Sequence, residues 1–407
     1  MATQGTSPAV VSFGTDQETR LILDSLAEFV EREVEPIEAD LGEMLTNPRL
    51  GHEPDGRLTE EVLDAIREVR EKSAEAGFYA MNLPEMAGGE GVSTVTWYRA
   101  NRAIAAMDSD LAGEVLAGPE GPKPLLAQAE GDQREEYLDP VVRAEKSTAF
   151  AQTEPSVGSD SPNMRTTAEK EGDEWVLSGE KQWITNAPYA DFVQVFARTT
   201  PQAEAGRYGG ITCFLVESEE YEVGALNNAV GSVGRQAEIR FEDVHLPESR
   251  VLGEPGSAFY DAMGFLSLGR LELGAQAIGA SEHLLEKCVE YAREREAFGR
   301  KIGEFQEISS MIARGRAKQY AADAAGLRCA WRMDQGEDAI EDASILKWFA
   351  TDTFWQVADD AVQVHGSSGL AEENPFVDYL HTARVLRIVE GTDEIQLNTI
   401  AGQMGVR

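Results

Sequence analysis

Glu390 stands between an apolar run, Val385-Leu-Arg-Ile-Val389, and Gly391, with Thr392 and Glu394 beyond. A carboxyl held against an apolar wall loses the solvation of its charged form, so its pKa rises toward the range a general base needs. The same spacing also suits a surface glutamate at a helix end. Far upstream, Phe150-Ala-Gln152-Thr153-Glu-Pro155-Ser156-Val-Gly158-Ser159-Asp160 sets hydroxyls on a backbone constrained by Pro155 and Gly158. Such a loop offers N–H and O–H donors to an anionic or heteroaromatic ligand, or serves as a polar turn between domains. One hairpin later, Lys181-Gln-Trp183-Ile184-Thr185-Asn186 puts an indole beside a hydroxyl and an amide. That trio can flank a flat ring system; a core Trp is the plain alternative.

Two further segments carry chemistry. Arg295-Glu-Ala-Phe298-Gly299-Arg300-Lys301, followed by Gln306, concentrates basic residues in an acidic chain. Arginine there can grip a pyrophosphate bidentately, or balance charge at a helix C-terminus. Gln363-Val-His365-Gly366-Ser-Ser-Gly369 lets a backbone approach a ligand closely, or simply ends a helix. His365 by itself reads as a packed residue. No GxGxxG follows a strand, so a Rossmann dinucleotide site is not expected. The 5 histidines form no HExxH and no cluster with cysteine, so no metal site is expected.

These residues need elements to hold them. The apolar stripe Leu21, Leu23, Leu26, Phe29, Val30, Val34 and Ile37 predicts a helix over Asp16–Leu45, kinked or ended at Pro36. A loop follows from Asn47 to Gly56. Thr59 and Ser93 are candidate N-caps of two more helices, and a short helix over Asp132–Leu138 should stop at Pro140. From Ser147 to Gly253 the period is nearer two. Strands are expected at Glu174–Ser178 and Lys181–Thr185 on either side of Gly179, then at Phe192–Arg198, Ile211–Glu217 and Ala237–Phe241. Long helices return at Ser257–Arg293, Phe305–Met333, Glu341–Val364 and Pro375–Val389, with a last one from Thr392. The expected fold is α+β and multidomain: an N-terminal α-helical domain (1–146), a middle antiparallel β-domain (147–254) and a C-terminal four-helix bundle (255–407).

The 407 residues are 42% hydrophobic and 27% charged, a globular profile. Against 36 Lys and Arg stand 72 Asp and Glu, a net charge of −36. So negative a surface has no field to attract phosphate polymers or anionic membranes, so neither partner is expected. It suits high salt, where screening relieves self-repulsion. Cys213, Cys288 and Cys329 are widely spaced, as in a reducing compartment. Met1–Val10 has no basic region followed by an apolar core, and no apolar stretch reaches the length of a membrane span. A cytoplasmic location is expected.

In this order and at these separations, the motifs resemble those of the acyl-CoA dehydrogenase family of flavoproteins. The resemblance covers Asp16 to the C-terminus: TEPxxGSD (Thr153–Asp160), WIT (Trp183–Thr185), RxxFG (Arg295–Gly299), QxxG (Gln363–Gly366) and EGT (Glu390–Thr392). It implies FAD as cofactor. Phe150, Gln152, Thr153, Gly158 and Ser159 resemble the loop along the flavin, and Trp183, Ile184 and Thr185 the strand behind its ring. Arg295, Phe298, Gln306, Gln363 and Gly366 are similar to a second subunit's contribution to the FAD pyrophosphate and adenosine. Thr392 and Glu394 resemble further cofactor contacts; Ser159, Arg270 and Gly391 resemble substrate contacts. The implied reaction is α,β-dehydrogenation of an acyl-CoA thioester to its trans-2-enoyl product. Glu390 takes the α proton, flavin N5 accepts the β hydride, and an electron-transfer flavoprotein receives the electrons.

Some family members carry the base on the first bundle helix. The matching position is Gly269, which leaves Glu390 for the role. The stiff segment Gly118–Pro124 matches the wall of the acyl pocket. A shared cofactor implies at least a dimer, and the family's usual form is a dimer of dimers. The alternatives on this fold are a flavin oxidase or monooxygenase that uses oxygen, and a flavin-binding assembly protein without turnover.

Overall fold

The computed structural model describes residues 15–228 and 233–406; Met1–Val10, where no leader is expected, lies outside them. The side chain of Asp16 caps α1 (Gln17–Phe29), accepting from the Thr19 amide at 2.7 Å. Pro36 does not end the path that follows: one π turn (Val30–Val34) leads without a break into α2 (Glu35–Leu41), and this wider turn is where the helix accommodates the missing N–H of Pro36. Part of the expected loop after it is a one-turn helix, α3 (Pro48–Gly51). Thr59 holds the N-cap position of α4 (Glu60–Glu75), but its side chain makes no capping bond. Ser93 does cap α5 (Thr94–Ala105), accepting from Thr96 N at 3.1 Å. Pro140 does not stop a helix. It lies in the first turn of α6 (Asp139–Val142), entered from a π turn at Arg134–Leu138.

The middle segment forms one sheet from β1 (Thr148–Ala151), β2 (Thr167–Glu171), β3 (Glu174–Thr185), β4 (Phe192–Arg198), β5 (Ile211–Glu217), β6 (Glu222–Leu226), β7 (Gln236–Pro247) and β8 (Val251–Leu252). A single turn of helix, α7 (Gln202–Ala205), lies between β4 and β5. The order is β6-β7-β3-β2-β4-β5-β8, with β1 against β4. Antiparallel pairing dominates, as expected. β1 is the exception and runs parallel to β4, because the chain returns to it only after the whole β2–β3 hairpin, the long crossover that parallel strands need. A second parallel contact joins β2 to β4 at Thr167 and Arg198. Gly179 does not separate two strands. It lies within β3 at a register shift against β7, with φ +151°, and a Cβ there would come 2.7 Å from the Thr166 Cα. Glycine lets the strand bend at a close approach without ending.

The C-terminal segment comprises α8 (Ala258–Glu294), α9 (Gln306–Asp334), α10 (Ile340–His365), α11 (Phe376–Leu386) and α12 (Asp393–Gln403). A hairpin of β9 (Glu296–Ala297) and β10 (Arg300–Lys301) joins α8 to α9. α11 ends at Leu386, short of the expected Val389, because the next residues turn sharply through Glu390 and Gly391. One core joins the first and last segments: Leu26, Val69, Trp97 and Ile104 meet Leu271, Leu284, Leu346 and Phe354. A second core packs Leu126, Tyr137 and Phe259 under Phe192 and Phe196 of the sheet. A third, on the opposite face, holds Trp175, Ile184, Val193 and Val195. β4 is buried on both faces, which explains why Phe192 to Ala197 is apolar but for the buried Gln194.

Candidate active site

Two glycines and one strained turn bring the base to α8. Glu390 has φ +53°, a left-handed conformation uncommon for a residue with a Cβ, and Gly391 follows at +89°. Buried side chains hold this turn. Gln396 Nε2 donates to the Glu390 and Gly391 carbonyls at 3.0 and 2.9 Å. Lys347 Nζ donates to the Gly391 carbonyl at 2.8 Å. Gln396 and Lys347 are wholly buried. No hydrogen bond from the Glu390 N–H occurs among the described residues, so that donor is free.

The Glu390 carboxyl faces Gly269 of α8, where a Cβ would come within 3.3 Å of Glu390 Oε2. Glycine at this position spares the carboxyl the shift of a few tenths of an ångström that a Cβ would ask of it. Protein packs densely around the group, yet its side chain remains accessible to solvent. Desolvation raises its pKa above the ordinary glutamate range. The charge of Glu272 adds to the rise, and those of Lys123, Arg270 and Lys347 oppose it. Arg270 is buried beside it, donating to Ser344 Oγ at 3.2 Å, while its Nε has no partner. Burial pushes the Arg270 pKa down, against the pull of Glu390. Lys347 is pushed down to about 8 by desolvation, with Asp393 and Glu390 opposing the shift.

The loop expected to hold a ligand is anchored from below. Lys181 of β3 and Glu154 form a fully buried ion pair at 2.9 Å. Glu154 also accepts from the amides of Arg165 and Thr166 at 2.6 and 2.9 Å, and Lys181 donates to the Gln152 carbonyl at 3.2 Å. Desolvation lowers the Lys181 pKa to about 8, against the pull of Glu154. With its acid inside, the loop turns Gln152 and Thr153 to the half-buried rim and Gly158 and Ser159 to the outside. The Phe150 ring packs on Phe196 at 4.8 Å, and Ile184 points into the core, so Ile184 meets a ligand only through its backbone. Trp183 is not a core residue. It sits in a bulge of β3 with φ +62° and is 49% exposed, while Trp175 fills the core instead. Thr185 lies next to it, accepting from Gln236 at 3.2 Å. A partly bare indole beside hydroxyls fits the face of a flavin.

The remaining residues lie elsewhere in the chain. Thr392 caps α12 by accepting from Ile395 N, and Glu394 is exposed in a groove with Trp355, Arg384 and Arg387. Arg295, Phe298, Gln306, Gln363 and Gly366 gather at the far end of α8. The His365 ring bridges that end, 4.4 Å from Tyr291 and 3.9 Å from Phe376, as a packed residue. At ~1.5 Å per residue, the end of α8 lies roughly 40 Å from Gly269. The two groups of residues are therefore far apart within one chain.

Residue spacing did not point to Lys347, Gln396, Lys123 or Glu272. A lysine between Leu346 and the apolar Trp348-Phe349-Ala350 was the one visible signal. Cys213, Cys288 and Cys329 are buried and free. Among the described residues no group of acids, histidines and cysteines can hold a metal, and no helix is long and apolar enough to cross a membrane.

The chain is similar to known proteins along nearly its whole length. The N-terminal, middle and C-terminal domains of acyl-CoA dehydrogenase match residues 16–145, 149–244 and 256–405. The 3-(aryl)acrylate reductase of Clostridium sporogenes is 34% identical over 96% of this chain and 99% of its own. The caffeyl-CoA reductase-Etf complex subunit CarC of Acetobacterium woodii is 34% identical over 85% of this chain and 94% of its own. The structure of butyryl-CoA dehydrogenase from Megasphaera elsdenii superposes with a TM-score of 0.81 at 28% identity, covering 97% of this chain and all of that one.

Proposed function

The chain belongs to the acyl-CoA dehydrogenase family, an FAD-dependent oxidoreductase acting on acyl-CoA, and we propose that Glu390 is its α-proton base. One observation carries this reading: a carboxyl of raised pKa, open to solvent, that lies against Gly269 of α8 and beside Arg270. Glu390 takes the proton next to the thioester carbonyl. The free Glu390 N–H donates to the thioester oxygen as negative charge gathers there, a kind of contact worth on the order of 10²–10³ in rate. Lys347 and Gln396 hold the turn, so the donor and the base keep one geometry. FAD, when bound, supplies the acceptor for the hydride from the β carbon.

Thr153, Ser159, Trp183 and Thr185 bind the flavin, and Arg270 and Gly391 border the substrate. Arg295, Phe298, Gln306, Gln363 and Gly366 reach the FAD of a second copy, which makes the working unit at least a dimer and supports a dimer of dimers. Electrons leave to an electron-transfer flavoprotein. The net charge of −36 suits a salty cytoplasm.

A second reading is reduction of an enoyl thioester by the same residues, with Glu390 returning the α proton. It is favoured by the names of the two reductases above. Anaerobic mixing with a panel of acyl-CoA thioesters tests the proposal. The parent loses flavin absorbance with at least one of them, and Glu390→Gln keeps its colour and loses that bleaching by ~10³-fold or more. A variant that bleaches as fast as the parent removes Glu390 from the role. Bleached enzyme regaining colour on adding an enoyl thioester supports the reductive direction.

A further inference from the structure

Resting on the dehydrogenase reading, we propose that the acyl pocket ends in a polar subsite formed by Lys123 and Glu272, which takes acyl groups carrying a neutral hydroxyl in preference to plain chains of equal length. Glu272 lies three residues beyond Gly269 on α8, on the face that meets Glu390. That direction leads inward: Leu271, Ala275 and Ile278, after Gly269, lie in the core shared with α5 and α10, whereas before it α8 has both buried (Ala258, Phe259) and exposed (Tyr260, Met263) residues. A substrate entering past the first turns of α8 and reacting at Glu390 therefore extends its tail toward Glu272.

Lys123 comes from the stiff segment opposite. Its Nζ donates to Glu272 Oε2 and Oε1 at 2.8 and 3.1 Å and to the Ala117 carbonyl at 3.0 Å. The segment is fixed in turn, since Gly118 N donates to Glu120 Oε1 at 2.9 Å and Arg70 lies 3.5 Å from the same carboxylate. The Lys123 and Glu272 side chains keep 26% and 13% of their surface, so the pair is partly open rather than sealed in the core. Both charges are felt at Glu390.

The chemistry of the pair selects its ligand. A hydrocarbon tail pressed against it strips water from two charges and returns no hydrogen bond. A hydroxyl donates to the Glu272 carboxylate and accepts from the Lys123 ammonium, replacing that water. A carboxylate meets Glu272 and Glu390 as like charges, and an amine competes with Lys123. A neutral donor–acceptor group is the remaining match. Three residues of helix rise ~4.5 Å, which sets the hydroxyl at about the fourth to sixth carbon of the acyl group.

The experiment compares anaerobic flavin reduction of the holoenzyme by 4-, 5- and 6-hydroxyacyl-CoA with butyryl-, pentanoyl- and hexanoyl-CoA. The parent should favour the hydroxylated member of at least one pair by roughly tenfold in kcat/KM. The double variant Lys123→Met/Glu272→Leu removes both charges without orphaning either. Its preference should fall to about one or reverse. A parent ratio near one for every pair, or an unchanged ratio in the double variant, overturns the subsite and leaves the dehydrogenase reading standing. No bleaching with any thioester overturns that reading and the subsite with it. Should the double variant fail to fold, Glu272→Gln serves, and its ratio must drop at least threefold.

Discussion

Glu390 has to be ionised to take a proton, yet it sits where ionisation is disfavoured. Burial and the nearby Glu272 push its pKa up, and Lys123, Arg270 and Lys347 hold the rise in check. Two pH dependences follow with opposite senses. Flavin reduction by a thioester should be slow at low pH and climb as pH passes through the raised pKa, which stopped-flow absorbance will follow. Stability runs the other way. The folded state holds the Glu390 proton more tightly than the unfolded chain does, so this contribution is complete below the ordinary glutamate pKa and is lost as pH rises through the folded one. Glu390→Gln should therefore melt with the parent at acid pH and above it at neutral pH. Equal melting temperatures at both ends would mean that the carboxyl is not desolvated. Glu390 was legible because an apolar run and a glycine frame it. Lys347 and Gln396 were not, because their role is to bond backbone carbonyls that adjoin them only in the folded chain.

The β9–β10 hairpin turns in two residues, Phe298 and Gly299, at φ +53° and +80°. This is the left-handed pair that matches the twist of a tight hairpin, and it leaves Phe298 97% exposed. A bare aromatic on a strained turn suits contact with a second copy. Phe298→Asp should lower the sedimenting mass and speed loss of FAD on dilution, with little change in helix content; an unchanged mass would end the shared-cofactor idea. Breakers were the least legible feature at this scale. Pro36 and Pro140 sit in first turns after π turns, and Gly179 bends a strand that continues. Residue type signals a change of direction, whereas the partner across the sheet or core decides whether the element ends. The uninterrupted periods of α8, α9 and α10 left no such ambiguity.

At the scale of the molecule, the charge of −36 repels itself in the compact state. Many of its ion pairs are exposed, such as Arg49–Glu372 and Arg143–Glu145, and hold little stability of their own. Salt weakens such pairs slightly and relieves the general repulsion, so the second effect should win. The melting temperature should rise by several degrees between ~0.1 M and ~1 M KCl, over which the Debye length falls from ~10 to ~3 Å. Calorimetry at fixed pH tests this, and a flat or falling profile would assign the acidity another purpose.

Helices α1, α4 and α5 share their core with α8 and α10, although the entire sheet lies between them along the chain. On the ribosome, at ~5–20 residues per second, their greasy faces wait on the order of ten seconds for α8 to emerge. Until then Trp97, Ile104 and Val69 have no cover. The nascent protein depends on a holdase, or on tolerance of transient self-association, over that interval, and truncation before residue 258 would leave a sticky fragment rather than a small independent domain.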